Sequence, residues 1–197
     1  MSGEGSNLQA LIDELGGSDV EIGAVASSRQ DAPGLQRAEA AGIETAVFSL
    51  ADEPDRAKRD DAMGAWLEER GAELVVLAGF MELLTPGFIR RFAGRIVNVH
   101  PALLPAFPGL GSIEQALEHG VKVAGVTVHF VDEGVDSGPI LLQEAFELPY
   151  HRDIAATRQH FHEVEHRLLP HAVRLIAAGR VSLDPDNPRL VRVEADG

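Results

Sequence analysis

The chain has 197 residues, 45% hydrophobic and 24% charged, which fits one globular domain or a core domain with a small extension. Its formal net charge of −14 argues against nucleic acid as a partner, because phosphate backbones need a basic face; small anionic ligands stay open. Cysteine is absent, which excludes disulfides and thiolate chemistry, and no apolar run reaches the ~18 residues of a membrane-spanning helix. No N-terminal stretch reads as a signal peptide, so the expected compartment is the cytoplasm.

Taken in order, Leu8, Leu11, Ile12 and Leu15 recur at helical spacing, and Gly16–Gly17 ends that helix. Ahead of it lies Gly3-Glu4-Gly5-Ser6-Asn7. Two readings stand: an anion cradle built from free N–H groups at a helix N-terminus, or an ordinary flexible N-terminus with an N-cap. It is not a dinucleotide fingerprint, since Leu8 stands where the third glycine is needed. Residues 20–28 read as a strand and 35–41 as a helix opened by Pro33-Gly34 and closed by Gly42. Residues 43–48 read as a strand and 54–70 as a helix with Pro54 in its first turn. Residues 74–77 form a near-continuous apolar strand, the pattern of a strand covered on both faces, and 79–86 a turn and a short helix.

Ile96 to Val99 is a short apolar strand that runs into a loop stiffened by Pro101, Pro105 and Pro108. Ser112 to His119 is a helix in which Ser112 and Gln115 have capping-box spacing. A strand over 123–131, an acidic loop over 132–138 and a strand over 139–148 follow. Residues 153–178 form a long helix, and 181–197 a loose strand or tail. Strands alternating with helices predict an α/β fold with a mostly parallel sheet. Ligands of such sheets bind beyond the carboxyl ends of the strands, and 80–84, 98–109 and 132–138 all follow strands.

Asn98 and His100 lie two apart on one strand, so their side chains leave the same face. They read either as a buried amide with a satisfied imidazole or as part of a site. With Asp136 they form a possible working set: a carboxylate favours the charged imidazole, and an amide N–H can meet a developing oxyanion. Such a set suits acyl transfer to an amine. No G-x-S-x-G elbow or cysteine supplies a nucleophile, which favours one-step transfer between bound substrates over a covalent acyl-enzyme. His162-Glu163-Val164-Glu165-His166 matches the H-E-x-x-H zinc pattern, but Leu169 breaks its longer form and no firm third ligand follows. No metal is expected; two readings stand, a solvated helix face or Glu165 as a substrate contact.

Several stretches together carry a resemblance: SGEGSNLQALID at 2–13, ASSRQDAPGLQRAEAAGI at 26–43, LAGFMELLTPGF at 77–88, NVHPALLPAFPG at 98–109, VTVHFVDEGVDSGPILLQ at 126–143 and EHRLLP at 165–170. In order and spacing the chain resembles the phosphoribosylglycinamide formyltransferases, the glycinamide branch of the folate formyltransferase superfamily. The resemblance implies a Rossmann-like α/β fold with a mostly parallel sheet flanked by helices. It implies one formyltransferase domain over 1–181, with a phosphate-binding half at about 1–92 and a folate and catalytic half at about 93–181, then a tail over 182–197. It implies transfer of the formyl group of 10-formyltetrahydrofolate, the co-substrate, to the amine of phosphoribosylglycinamide in purine synthesis.

Residue by residue, the resemblance assigns Asn98, His100 and Asp136 to catalysis, with His129 as a neighbour that supports them. It assigns Gly5, Ser6 and Asn7 to the ribose phosphate and Glu165 to the glycinamide portion. Arg56, Met81, Glu82, Leu83, Leu84 and Asn98 would contact the folate. It also implies a cis Leu104–Pro105 bond. Partners are then small molecules, with no nucleic acid, no membrane, and a monomer or homodimer.

The chain departs from the family pattern at Gly111 and Ser112, where histidine is usual nearby, at Glu82 in place of arginine and at His162 in place of glutamine. The largest departure is the first central strand, which is missing ahead of the Gly-rich loop; the expectation is a natural start upstream of Met1. The rival readings are formyltetrahydrofolate deformylase, another superfamily formyltransferase such as the methionyl-tRNA enzyme, and an inactive truncated ligand-binding homologue.

Overall fold

The computed structural model describes residues 1–148 and 154–194. It divides into two compact units, Met1–Val97 and Asn98–Gly197. Among the described residues no helix is long and apolar enough to cross a membrane.

The first unit holds α1 (Ser6–Leu15), β1 (Ala24–Ser27), α2 (Pro33–Ala40), β2 (Glu44–Val47), α3 (Arg56–Glu69), β3 (Val75–Leu77), α4 (Pro86–Arg91) and the opening of β4 (Ile96–His100). β1 and β2 pair in parallel from Ala24 with Glu44 to Ser27 with Val47, and α2 makes the crossover. Leu8, Leu35 and Ala38 from the helices bury against Val25, so the helical spacing read in residues 8–15 is the face that meets the core. Among the described residues no strand precedes α1. Met1 and Ser2 instead bond sideways: the Ser28 amide donates to the Met1 carbonyl at 3.2 Å, and the Ser2 amide donates to the Gly79 carbonyl at 3.0 Å.

Two helix starts differ from expectation. Pro54 lies outside α3; Asp55 is the N-cap, and its side chain accepts from the amides of Ala57 and Lys58. A carboxylate able to satisfy two orphan N–H groups outcompetes the proline for the start. The short helix after Gly79 begins only at Pro86, behind the N-cap Thr85, so residues 80–84 are irregular backbone.

The second unit holds the end of β4, α5 (Ser112–Glu118), β5 (Val123–Phe130), β6 (Ile140–Glu147), α6 (Ile154–Ala177), β7 (Val181–Leu183) and β8 (Val191–Val193). β4 neighbours β5, and β5 runs antiparallel to β6 with a register shift between Val128 and His129. α6 buries Phe161, Val164, Leu168, Leu169 and Val173. The expected capping box of α5 does not form: the N-cap is Gly111 at φ 72°, Ser112 is the first helical residue, and Gln115 Nε2 turns back to the Leu110 carbonyl. Glycine's freedom at positive φ displaces the serine from the cap by one residue.

Of the residues read as a tail, β7 and β8 pair as an antiparallel hairpin, and Leu190 bridges to Ile140. Arg189 Nη2 donates to the Ser137 carbonyl at 2.9 Å. Asp153, expected to open the long helix, and residues 195–197 lie outside the described residues.

Candidate active site

Asn98 and His100 point from the end of β4 toward the loop between β5 and β6, and Asp136 of that loop meets both. Asp136 Oδ1 accepts from Asn98 Nδ2 at 3.4 Å, and Asp136 Oδ2 lies 3.4 Å from His100 Nδ1. The sequence expectation that these side chains converge is met. His100 is buried, and its Nε2 donates to the Phe107 carbonyl at 2.8 Å. A carbonyl only accepts, so this bond fixes a proton on Nε2 and turns Nδ1 toward the carboxylate.

His129 completes the group. Its Nδ1 donates to the Phe130 carbonyl at 2.8 Å, which leaves Nε2 to face Asn98 Nδ2 at 3.3 Å and Asp136 Oδ1 at 3.5 Å. In the ladder beside it the register shifts, Val128 pairing with Leu142 and His129 with Ile140, so that Leu141 of β6 has no partner opposite it. The signal for His129 in the sequence was its place two residues from Thr127 within an otherwise apolar strand.

The backbone around the site is forced. Among the described residues, Asp136 and Phe107 are the non-glycine residues at positive φ, 49° and 51°, and both serve the His100 pair. Such conformations cost about 1 to 3 kcal/mol and persist where the surroundings hold them. Gly138 closes the loop onto β5: a Cβ there would sit 1.9 Å from the Phe130 carbonyl oxygen. The Gly109 amide donates to Asp136 Oδ2 at 2.7 Å, a contact with no sequence signature. The Leu104–Pro105 bond between is cis, as expected, and the Leu104 backbone is held by Thr127 Oγ1 and Gln143 Nε2.

Burial works to raise the Asp136 carboxyl. The hydrogen bond with His129, the Gly109 amide and the charges of the two histidines outweigh it and hold the carboxyl at about 2. Asp136 is therefore a carboxylate throughout the neutral range.

In the same unit Glu165 is buried on α6, and His162 Nδ1 lies 2.9 Å from its Oε2. His162 and His166 stack with centroids 6.0 Å apart. Among the described residues no three or more His, Cys, Asp or Glu side chains converge as metal ligands. Burial pushes the His166 imidazole below its ordinary value, with the charge of His162 adding to it against those of Glu165 and Glu163.

The first unit carries the Gly-rich loop and the segment expected at the folate. Gly5 is the N-cap of α1 at φ 75°, and a Cβ on it would lie 2.6 Å from the Gly34 Cα. Gly5 caps the helix with no side-chain hydrogen bond. The loop is ordered by its own bonds: Gly34 N donates to the Gly3 carbonyl and Arg37 Nε to that of Glu4. Ser6 and Asn7 open the first turn, where helix N–H groups have no intrahelical acceptors. In residues 81–84, Met81 and Leu83 are exposed, Glu82 and Leu84 are half-buried, and Arg56 Nη1 donates to the Leu83 carbonyl at 3.1 Å.

A family model described as formyl transferase matches residues 1–173. The chain belongs to the formyl transferase family. Its fold is accordingly α/β with a parallel-rich sheet flanked by helices. The chain is similar to glycinamide ribonucleotide transformylase 1 of Symbiobacterium toebii, with a TM-score of 0.94 and 44% identity over 99% of this chain and 92% of that one. It is 40% identical to the phosphoribosylglycinamide formyltransferase of Haemophilus influenzae, over 93% of this chain and 87% of that protein. It is 43% identical to the human trifunctional purine biosynthetic protein adenosine-3 over 93% of this chain, yet spans only 18% of that protein.

Proposed function

We propose that this formyl transferase passes the formyl group of 10-formyltetrahydrofolate to the amine of phosphoribosylglycinamide, a step of purine synthesis. The observation that carries this reading is the convergence of Asn98, His100 and Asp136 within a chain whose full-length relatives are named for that reaction. The substrate amine attacks the formyl carbon, a C–N bond forms, and the carbonyl oxygen becomes an oxyanion. Asn98 Nδ2 meets that oxygen; its contacts to His129 and Asp136, at 3.3 and 3.4 Å, are long enough to be exchanged for it. His100, protonated on both nitrogens, supplies positive charge beside it. The C–N10 bond then breaks. The proton shed by the amine goes to the folate nitrogen, with the Asp136 carboxylate as the group that relays it.

The Gly5–Asn7 turn holds the ribose phosphate with backbone N–H groups and the α1 dipole. Glu165 takes the glycinamide portion. Arg56 and residues 81–84 take the folate.

Formyl loss from 10-formyltetrahydrofolate, followed by absorbance with and without phosphoribosylglycinamide, tests the reading. Loss only with the glycinamide supports it. Loss without it would make the chain a deformylase, and no loss in either case would overturn the transferase reading.

A further inference from the structure

α3 grips the loop after β3 at three points. Arg56, Arg59 and Asp60 stand at i, i+3 and i+4, hence on one helix face. Arg56 Nη1 donates to the Leu83 carbonyl at 3.1 Å. Arg59 Nη1 donates to Glu82 Oε2 at 2.5 Å. Asp60 Oδ2 accepts from the Thr85 amide at 2.7 Å, and Thr85 caps α4. Arg59 and Asp60 are fully buried and bond to each other, Nε to Oδ1, at 2.8 Å.

A guanidinium cannot shed its charge, so a buried one demands carboxylates. Asp60 meets that demand from the same helix; Glu82 meets it from the loop. Arg59 Nη2 makes no hydrogen bond of its own and relies on the nearby Asp60 carboxylate, 2.7 Å away. The pairing turns the Glu82 side chain back onto α3 while Met81 and Leu83 stay exposed on either side. The loop's backbone course is thereby set from below.

We propose that Arg59 is a positioning residue which, through Glu82, fixes the backbone of residues 81–84 and so sets the affinity for the formyl folate. This rests on the formyl-transfer reading above. Arg59 itself touches no substrate.

Arg59→Lys is the test, because it keeps a buried cation for Asp60, which Arg59→Gln would strand, while giving up the fork that also reaches Glu82. Steady-state kinetics with each substrate varied in turn should show KM for 10-formyltetrahydrofolate raised about five- to tenfold, with KM for phosphoribosylglycinamide and kcat within about twofold of the parent. A titration of folate binding by fluorescence should show the same loss. An unchanged folate KM would overturn the inference, as would equal rises in both KM values with a lowered melting temperature, the mark of a merely structural pair. A parent enzyme that transfers no formyl group would overturn the functional reading instead.

Discussion

The backbone amide of Gly109 donates to Oδ2 of Asp136 over 2.7 Å. This bond joins the proline loop after β4 to the acidic loop after β5, and the oxygen it holds is the one that faces His100. The orientation of the carboxylate is thus set by backbone, so side-chain substitutions in the group change its chemistry more than its shape.

Removing any of the three converging side chains should therefore cost rate rather than fold. Asn98→Ala, His100→Ala and Asp136→Ala are expected to lower kcat by at least about 10²-fold, the scale of a lost oxyanion donor. Circular dichroism should remain that of the parent. A near-normal kcat would remove that residue from the mechanism.

Asp136 also links pH to stability. Its carboxyl stands at about 2, below its ordinary 3.8, so the folded state binds this proton less readily than the unfolded one. The stability it contributes is fully present above about pH 4 and is lost as pH falls from about 4 toward 2. By linkage it amounts to roughly 2 kcal/mol. Denaturant melts of parent and Asp136→Asn should differ by about that much at pH 7 and converge near pH 2.

His166 acts at milder acidity. Burial lowers its imidazole, so the unfolded chain takes up this proton first as pH falls below about 6.5. The folded state loses stability through that range. His166→Phe should flatten the dependence of melting temperature on pH between 7 and 5, and an unchanged slope would remove His166 as its source.

Gly5→Ala should damage the phosphate turn specifically. The substitution meets both a positive φ and the Gly34 Cα at 2.6 Å. The φ alone costs about 1 to 2 kcal/mol. KM for phosphoribosylglycinamide should rise about tenfold, with KM for the folate little changed. Equal effects on both would dissociate this turn from the phosphate.

Much of this architecture was legible in the sequence because it depends on period and punctuation. Leu8, Leu11 and Leu15 at helical spacing do face the core, and the spacing of Asn98 and His100 does bring both to one carboxylate. What escaped was of two kinds. Arg59 on a charged helix reads as solvated, and only the fold reveals that its face is covered. The Gly109 amide and the Phe107 carbonyl are backbone groups that every residue carries, so no residue type announces them. Ser112 misled for a related reason: the capping pattern is local, and the adjacent Gly111 supplied a better start.

The bond from Arg189 to the Ser137 carbonyl spans 52 residues of sequence. In a chain synthesised from its N-terminus, the loop bearing Asp136 is made well before the arginine that braces its neighbour. A nascent chain can thus carry Asn98, His100 and Asp136 while one tether of their loop is still unmade.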